Sequence, residues 1–136
     1  GTGSISYELA SRGATQITAV DQNRFCVKFI EATSNALSMG IYTIQSECIR
    51  FLEQNSSTYD LIFADPPYDF LEETYETIVA LALKKLNDHG QLIIEHFNKI
   101  DLSSLRGFEF SRNYGSATFS FFTETRREIS EETAAF

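Results

Sequence analysis

The sequence predicts an α/β fold in which a mostly parallel sheet carries helices on both faces and ends in an antiparallel hairpin. Short β-branched or apolar runs alternate with stretches of helical periodicity up to about residue 100, and the pattern then changes to two strands joined by a turn. Hydrophobic residues make up 43% of the chain and charged residues 22%, which is typical of a globular protein. At 136 residues we expect one domain with one functional site.

Each predicted element follows from local periodicity and from turn residues. The predicted order is a glycine turn at 1–3, a helix ending at Gly13, strand 17–20, helix 24–38, strand 42–45, a short helix at 49–52, strand 59–64, helix 71–86, a turn at 87–90, strand 91–95, and hairpin strands 108–111 and 117–122 around a turn at 113–116. The inner face of the first long helix is predicted to hold Phe25, Phe29, Ala32 and Ala36. The inner face of the second is predicted to hold Tyr75, Ile78, Val79, Leu81 and Ala82. The aromatic residues of the last strand, Phe119, Phe121 and Phe122, are predicted to be core.

Composition argues against a membrane protein and, through its net charge, against a nucleic-acid-binding protein. No apolar stretch approaches the roughly 20 residues that span a membrane, so we expect a soluble, cytoplasmic protein with no membrane partner. Cys26 and Cys48 fit free thiols, and we expect no metal site. The net charge of -8 argues against nucleic-acid binding unless a local basic patch meets the nucleic acid. Acidic residues near the C-terminus predict an exposed tail at 124–136 after a domain at 1–123.

A first group of polar and glycine residues lies where strands of the predicted sheet end. Gly1 and Gly3 would let the backbone approach a cofactor, and Asp21 could accept hydrogen bonds from both ribose hydroxyls; alternatively the glycines form only a turn and Asp21 caps a helix. Glu47 could contact an adenine or could be an acid in the first turn of the next helix, and Cys48 would offer its backbone N–H rather than its thiol.

Asp65-Pro66-Pro67-Tyr68 is more specific, because it follows the clearest buried strand of the chain. The exocyclic amine of a base is a poor nucleophile, and the Asp65 carboxylate and the Pro66 carbonyl could draw its nitrogen toward tetrahedral geometry. Each proline fixes its own φ and restricts the residue before it, so the acceptors would be held stiffly. Tyr68 offers a face on which an extruded base could stack. The alternative is a turn that ends the strand, with Tyr68 as a core residue.

With these motifs the chain resembles the RsmD-like small-subunit rRNA guanine-N2 methyltransferases. The resemblance extends to about residue 123 and includes the segments Gly1-Thr2-Gly3-Ser4, Glu8 to Ala14, Val20-Asp21, Asp65-Pro66-Pro67-Tyr68 and Tyr114-Gly115, together with Asn35. It implies a Rossmann-like class I methyltransferase fold with S-adenosylmethionine as cofactor and ribosomal RNA or the small-subunit particle as partner. It assigns Gly1, Gly3, Asp21 and Glu47 to the cofactor, and Asp65, Pro66 and Tyr68 to the loop that holds the amine.

The chain departs from the family pattern at its beginning. The family has a basic N-terminal segment and a first strand before the glycine loop, and this sequence begins at the loop itself, so the resemblance implies an N-terminally truncated domain. Three alternatives remain at this point: a DNA adenine-N6 methyltransferase, a nicotinamide-binding oxidoreductase and a non-catalytic binding domain. His89 and His96 have no partner at a spacing that marks a base or a metal ligand, and both are predicted to be surface histidines.

Overall fold

Strands and helices alternate along the computed structural model, which describes residues 17–54, 56–66 and 72–124. The elements are β1 (Thr18–Asp21), α1 (Arg24–Ala36), β2 (Tyr42–Gln45), α2 (Cys48–Gln54), β3 (Tyr59–Ala64), α3 (Glu72–Leu83), β4 (Leu86–Phe97), β5 (Phe108–Tyr114) and β6 (Ala117–Phe122). The chain divides into two units, Gly1–Gln54 and Asn55–Phe136. The predicted helix at the start of the chain, the glycine turn and the predicted tail at 124–136, apart from its first residue, lie outside the described residues.

In the first unit, β1 and β2 pair in parallel, with Thr18 opposite Tyr42 and Asp21 opposite Gln45. Helix α1 connects them and begins where the Asn23 side chain accepts hydrogen bonds from the backbone N–H groups of Phe25 and Cys26, at 2.8 and 3.2 Å. Such a cap contributes about 1 kcal/mol of helix stability. A small core of Ala19, Ile30 and Ile41 joins the helix to the strand region.

The predicted inner face of α1 was wrong. Phe25 and Phe29 are 71% and 55% exposed, and the buried residues of the helix are Val27, Ile30 and Ser34. Both sets recur at helical spacing, so periodicity alone cannot choose between them. Ser34 belongs to the buried set because its hydroxyl accepts a hydrogen bond of 2.9 Å from the backbone N–H of Ile41, which satisfies both groups away from water.

In the second unit, four strands lie in the order β3-β4-β6-β5. The β3/β4 pair is parallel, and β6 pairs antiparallel with both β4 and β5. Helix α3 contacts β4 and contributes most of a tightly buried core, as predicted except that Leu83 replaces Leu81 in it. The most buried residues of this core are Tyr75, Ile78, Ala82, Leu92, Ile94 and Phe122.

The predicted turn at 87–90 lies inside a longer strand than expected. Tyr59 pairs with Leu86 and Leu61 with Gln91, so the β4 backbone bulges between the two pairs, and His89 adopts a φ of 64°. Gly90 is required there, since a Cβ on it would lie 2.8 Å from the carbonyl oxygen of Asn87 and 3.1 Å from that of Tyr59. Beyond the bulge, β4 runs in regular register with β3 to Ile94.

The C-terminal hairpin is confirmed, with Gly115 at a φ of 63° in its turn. Phe122 is fully buried on the face of the sheet that holds the core, as predicted. Phe119 and Phe121 alternate to the other face, where they are half-buried; Phe119 meets Phe63 edge to face, and Phe121 stacks on Phe110. Among the described residues, no helix is long and apolar enough to cross a membrane.

Candidate active site

The carboxyl ends of β1 and β2 bring the predicted polar residues of the first unit together. Asp21 ends β1 opposite Gln45, and the next residue, Ser46, donates its backbone N–H to the carbonyl of Asp21 at 3.0 Å. The Asp21 carboxylate is partly buried and accepts a hydrogen bond of 2.8 Å from the backbone N–H of Asn23. Because Asn23 is the cap of α1, the alternative interpretation of Asp21 as that cap is wrong. The ribose-binding role of Asp21 stays a prediction.

Glu47 lies on the same edge, immediately before α2. Its two carboxylate oxygens accept hydrogen bonds from the backbone N–H groups of Ile49 and Arg50, at 2.9 and 3.1 Å. It therefore caps α2, which is close to the alternative of a helix-initiating acid; each oxygen keeps a lone pair with which it could meet a cofactor. Burial, followed by the neighbouring negative charge of Glu47, raises the pKa of the Cys48 thiol to about 11. Cys48 is thus a thiol rather than a thiolate at neutral pH, as its predicted passive role requires.

Strand β3 delivers the signature acid of the second unit. Asp65 directly follows Ala64, the last residue of the strand, and Pro66 is buried behind it. The Asp65 side chain reaches solvent, yet partial burial of the carboxyl raises its pKa. A carboxyl with a raised pKa is a better proton acceptor than an ordinary aspartate. Pro67 and Tyr68 lie outside the described residues, so their roles as loop and base platform stay predictions.

A second carboxylate, Glu95, lies beside Asp65, and the sequence reasoning did not identify it as a site residue. Ile94 pairs with Ala64 in the parallel ladder, so Glu95 occupies the next position on β4, next to Asp65. Burial and then the charge of Asp65 raise the pKa of the Glu95 carboxyl. The available signal was a charged residue at the C-terminal end of an apolar strand, the same kind of position as that of Asp65. The strand before Asp65 is not buried as predicted, because each residue of β3 is half-buried or exposed.

His96 was wrongly predicted to be a surface residue. It is 1% exposed, because alternation along β4 places it on the core face with Leu92 and Ile94. Its Nδ1 lies 3.0 Å from the carbonyl oxygen of Phe97 and its Nε2 lies 2.7 Å from the Ser120 hydroxyl. Burial lowers the pKa of His96, so the ring is neutral, with Nδ1–H donating and Nε2 accepting. His89 is exposed.

The hairpin turn reaches the same edge of the sheet. Ala117 pairs with both Phe97 of β4 and Tyr114 of β5. Asn98, just after β4, binds the turn twice: its backbone N–H donates to Ser116 at 2.9 Å, and its side-chain amide donates to Gly115 at 3.1 Å. Tyr114 is 61% exposed and rests edge to face on Phe119. An aromatic side chain therefore lies on the edge that carries Asp65 and Glu95.

No group of three or more metal-ligating side chains occurs within 17–54, 56–66 and 72–124. What the described edges offer is a set of oxygen acceptors: Asp21 and Glu47 in the first unit, and Asp65, the Pro66 carbonyl and Glu95 in the second. Acceptors of this kind hold hydroxyl and amine groups rather than phosphates. The predicted glycines at 1 and 3 lie outside the described residues.

Comparison with known proteins places these features in context. A family model described as "Conserved hypothetical protein 95" matches residues 1–123. A ribosomal RNA large subunit methyltransferase K/L from Colwellia psychrerythraea is 31% identical over 120 residues, which cover 76% of this chain and 17% of that protein. A ribosomal RNA small subunit methyltransferase D from Buchnera aphidicola is 27% identical over 74% of this chain and 52% of its own length. The chain thus spans about half or less of these relatives.

Among solved structures, a 16S rRNA N2 methyltransferase, RsmC, from Thermus thermophilus in complex with AdoMet and guanosine matches with a TM-score of 0.76. The match covers 92% of this chain and 35% of that chain at 17% identity. At this identity the likeness concerns the fold alone. It confirms the predicted Rossmann-like class I methyltransferase fold.

Proposed function

This chain belongs to the family described as conserved hypothetical protein 95, and we propose that it transfers a methyl group from S-adenosylmethionine to the exocyclic N2 amine of a guanine in small-subunit ribosomal RNA. Family membership and the similarity to a small subunit methyltransferase D confirm the predicted RsmD-like resemblance. We also propose that the protein acts in the cytoplasm.

The observation that carries the proposal is the end of β3. Asp65 lies at the carboxyl end of a parallel strand, which is the edge where folds of this class bind ligands, and the buried Pro66 follows it. Proline fixes its own φ and disfavours helical backbone at Asp65, so the backbone that carries the carboxylate and the Pro66 carbonyl has little freedom. Two oxygen acceptors at one edge suit an exocyclic amine, because that group carries two N–H donors.

The chemistry required of these residues is mainly positioning. S-adenosylmethionine supplies an electrophilic methyl group on a sulfonium, so the leaving group needs no acid. Asp65 and the Pro66 carbonyl accept the two N–H bonds of the amine and direct its lone pair at the methyl carbon. As the N–C bond forms, the C–S bond breaks with its electron pair going to sulfur. The surplus amine proton passes to Asp65, whose raised pKa favours this, or to water.

The first unit fits the nucleoside part of this cofactor. Asp21 is held at the carboxyl end of β1 by the Asn23 N–H, and a carboxylate in that place suits the two hydroxyls of a ribose. Glu47 and the backbone N–H of Cys48 lie at the end of the neighbouring strand, where an adenine would follow the ribose. The thiol of Cys48 takes no part, since it stays protonated.

The choice of RNA rests on the relatives. Both curated relatives described above are named ribosomal RNA methyltransferases, and the RsmC structure holds AdoMet and guanosine. The 31% identical relative is named for the large subunit, so large-subunit RNA is the second candidate substrate. A nicotinamide oxidoreductase would give the Asp65-Pro66 pair at the end of β3 no role.

The decisive test is Asp65→Asn in the full-length protein. An asparagine keeps an acceptor oxygen but removes the charge and the proton acceptor, so we expect kcat to fall on the order of 100- to 1,000-fold, as it does when a preorganised electrostatic group is lost. Methyl transfer is measured with radiolabelled S-adenosylmethionine, and cofactor binding by calorimetry should stay unchanged. Asp60→Asn, an exposed acid on the same strand, is the matched control. Wild-type activity in Asp65→Asn would refute the role of Asp65.

The substrate is tested separately. Wild-type enzyme is given small-subunit RNA, large-subunit RNA, the assembled small-subunit particle and duplex DNA, and the product nucleoside is identified by mass spectrometry. We expect N2-methylguanosine from small-subunit RNA or its particle. N6-methyladenine from DNA would refute the proposed base, and product from large-subunit RNA alone would move the assignment to the second candidate.

A further inference from the structure

Glu95 is fixed in place by strands on both sides. On β4 it follows Ile94, which pairs with Ala64, and this register places it next to Asp65 at the end of the parallel ladder. On the other side it pairs with Phe119 of β6. Its side chain is half-buried, on the sheet face opposite His96 and the core. The backbone at Glu95 is therefore held by pairing on both sides, and its side chain is not fully exposed.

The described part of the chain makes no structural use of the Glu95 carboxylate. Among the residues 17–54, 56–66 and 72–124, none donates a hydrogen bond to it or forms an ion pair with it, and the charge that acts on it is the like charge of Asp65. A partly desolvated carboxylate beside another carboxylate costs stability unless a donor lies between them. Groups held at such a cost cluster at functional sites.

The donor pattern that would relieve this repulsion is that of guanine. Its Watson–Crick edge carries the N2 amine and, beside it, the N1–H, so it presents donors in adjacent positions. Adenine presents a donor at N6 and a lone pair at N1. When Asp65 and the Pro66 carbonyl hold the reacting amine, the atom at ring position 1 comes next along the same edge of the base. An N–H there meets a carboxylate favourably, whereas a lone pair meets it with repulsion.

We propose that Glu95 is the residue that selects guanine, its carboxylate accepting the N1–H of the base whose N2 amine is held by Asp65. This inference rests on the proposed function, because it assumes that an N2 amine is the group methylated. Glu95 contacts the substrate without taking part in bond making. It fixes the plane and register of the base, and it rejects adenine by leaving two lone pairs opposed.

The test exchanges one hydrogen-bond donor on the base and one acceptor on the protein. In a ribosomal RNA fragment, the guanine methylated by wild-type enzyme is replaced by 2-aminopurine, which keeps the N2 amine but has an acceptor at N1 and no carbonyl at position 6. The loss of that carbonyl affects wild type and variants alike, so only the change in preference between them reports on Glu95. Wild type should prefer guanine roughly 10- to 100-fold in kcat/KM, the usual effect of one charged hydrogen bond. Glu95→Gln should reduce this preference by a similar factor, since its amide can donate to N1 of 2-aminopurine. The exposed Glu109→Gln on β5 is the matched control and should keep the wild-type ratio.

A second variant guards against a merely structural effect. Glu95→Asp keeps the charge and withdraws it by one methylene, so it should lose activity on guanine without gaining any on 2-aminopurine. Glu95→Gln removes a repelled charge and should fold at least as stably as wild type, which a thermal melt at pH 7 checks.

The outcomes separate the two proposals. If Glu95→Gln keeps the wild-type preference for guanine, Glu95 does not select the base, and the proposed methyl-transfer function is unaffected. Equal loss on both bases also means that Glu95 does not select the base, since it would assign Glu95 to the transfer step. If wild type methylates no guanine, the proposed function fails, and the inference fails with it.

Discussion

Replacing Gly90 by alanine should weaken the fold where it carries the site. Gly90 is buried in the β4 bulge, and a Cβ on it would lie 2.8 Å from the Asn87 carbonyl oxygen and 3.1 Å from that of Tyr59. Both are backbone atoms, so the clash cannot be relieved by a side-chain rotation. The Gly90 carbonyl is also held, since it accepts a hydrogen bond of 3.2 Å from the Thr123 hydroxyl. We expect a cost of about 1–3 kcal/mol, as for other overpacked interiors.

For a domain of this size that loss corresponds to a fall in Tm of roughly 3–15 °C. The added methyl group would press on Tyr59 at the start of the β3/β4 ladder. If the strands shifted to relieve this contact, Asp65 would move relative to Glu95 at the other end of the ladder. Because misplacement by about 1 Å can cost on the order of 100-fold in rate, kcat should fall as well. Differential scanning calorimetry and the methyl-transfer assay measure the two effects.

Gly115→Ala provides the contrast. Gly115 has open space around it but a φ of 63°, so its alanine variant carries only conformational strain, about 1–2 kcal/mol. It lies in the β5/β6 hairpin turn, so the strain should lower Tm without adding a clash to the β3/β4 ladder. A Gly90→Ala protein with wild-type Tm and activity would refute the steric reasoning, because it would show that the bulge yields freely.

Two further predictions concern buried titratable groups. Burial lowers the pKa of folded His96 below its ordinary value of 6.5, so the neutral ring contributes stability above pH 6.5 and this contribution is lost as the pH falls below 6.5. Tm should therefore drop between pH 7.5 and 5.5 in wild type and in the exposed control His89→Gln, and the drop should be smaller in His96→Gln. Equal drops in Tm would contradict the lowered pKa of His96. With a thiol pKa of about 11, Cys48 should react with iodoacetamide at pH 8 roughly 10- to 100-fold more slowly in the folded protein than in urea, as followed by peptide mass spectrometry, and equal rates would contradict it.

Parts of the fold could be predicted from the sequence because each depended on one local pattern. The apolar face of α3 has no rival on the same helix, so its inner residues were predicted correctly except at Leu83. Helix α1 carries two faces at helical spacing, and only the position of β1 and Ile41 decides between them. Asp65 was identifiable because the strand, acid and proline are contiguous.

Glu95 and His96 required knowledge that is not local. They adjoin in sequence, but alternation along β4 sends His96 to the core with Ile94 and Glu95 to the opposite face. The period of two could have indicated the burial of His96, had the strand been continued past residue 95. The proximity of Glu95 to Asp65 depends on which strands pair and in what register, and that is decided by tertiary packing.

The strand order of the second unit also has a consequence for the order in which the protein can fold during synthesis. Strand β6 lies between β4 and β5, so a strand that is synthesised after both of its neighbours is inserted between them. Until it arrives, the six residues Leu92–Phe97 of β4 have no partner on that side of the strand, and the core position of Phe122 stays empty. Nascent chains that pause before residue 117 should therefore be more prone to aggregate than chains that include β6.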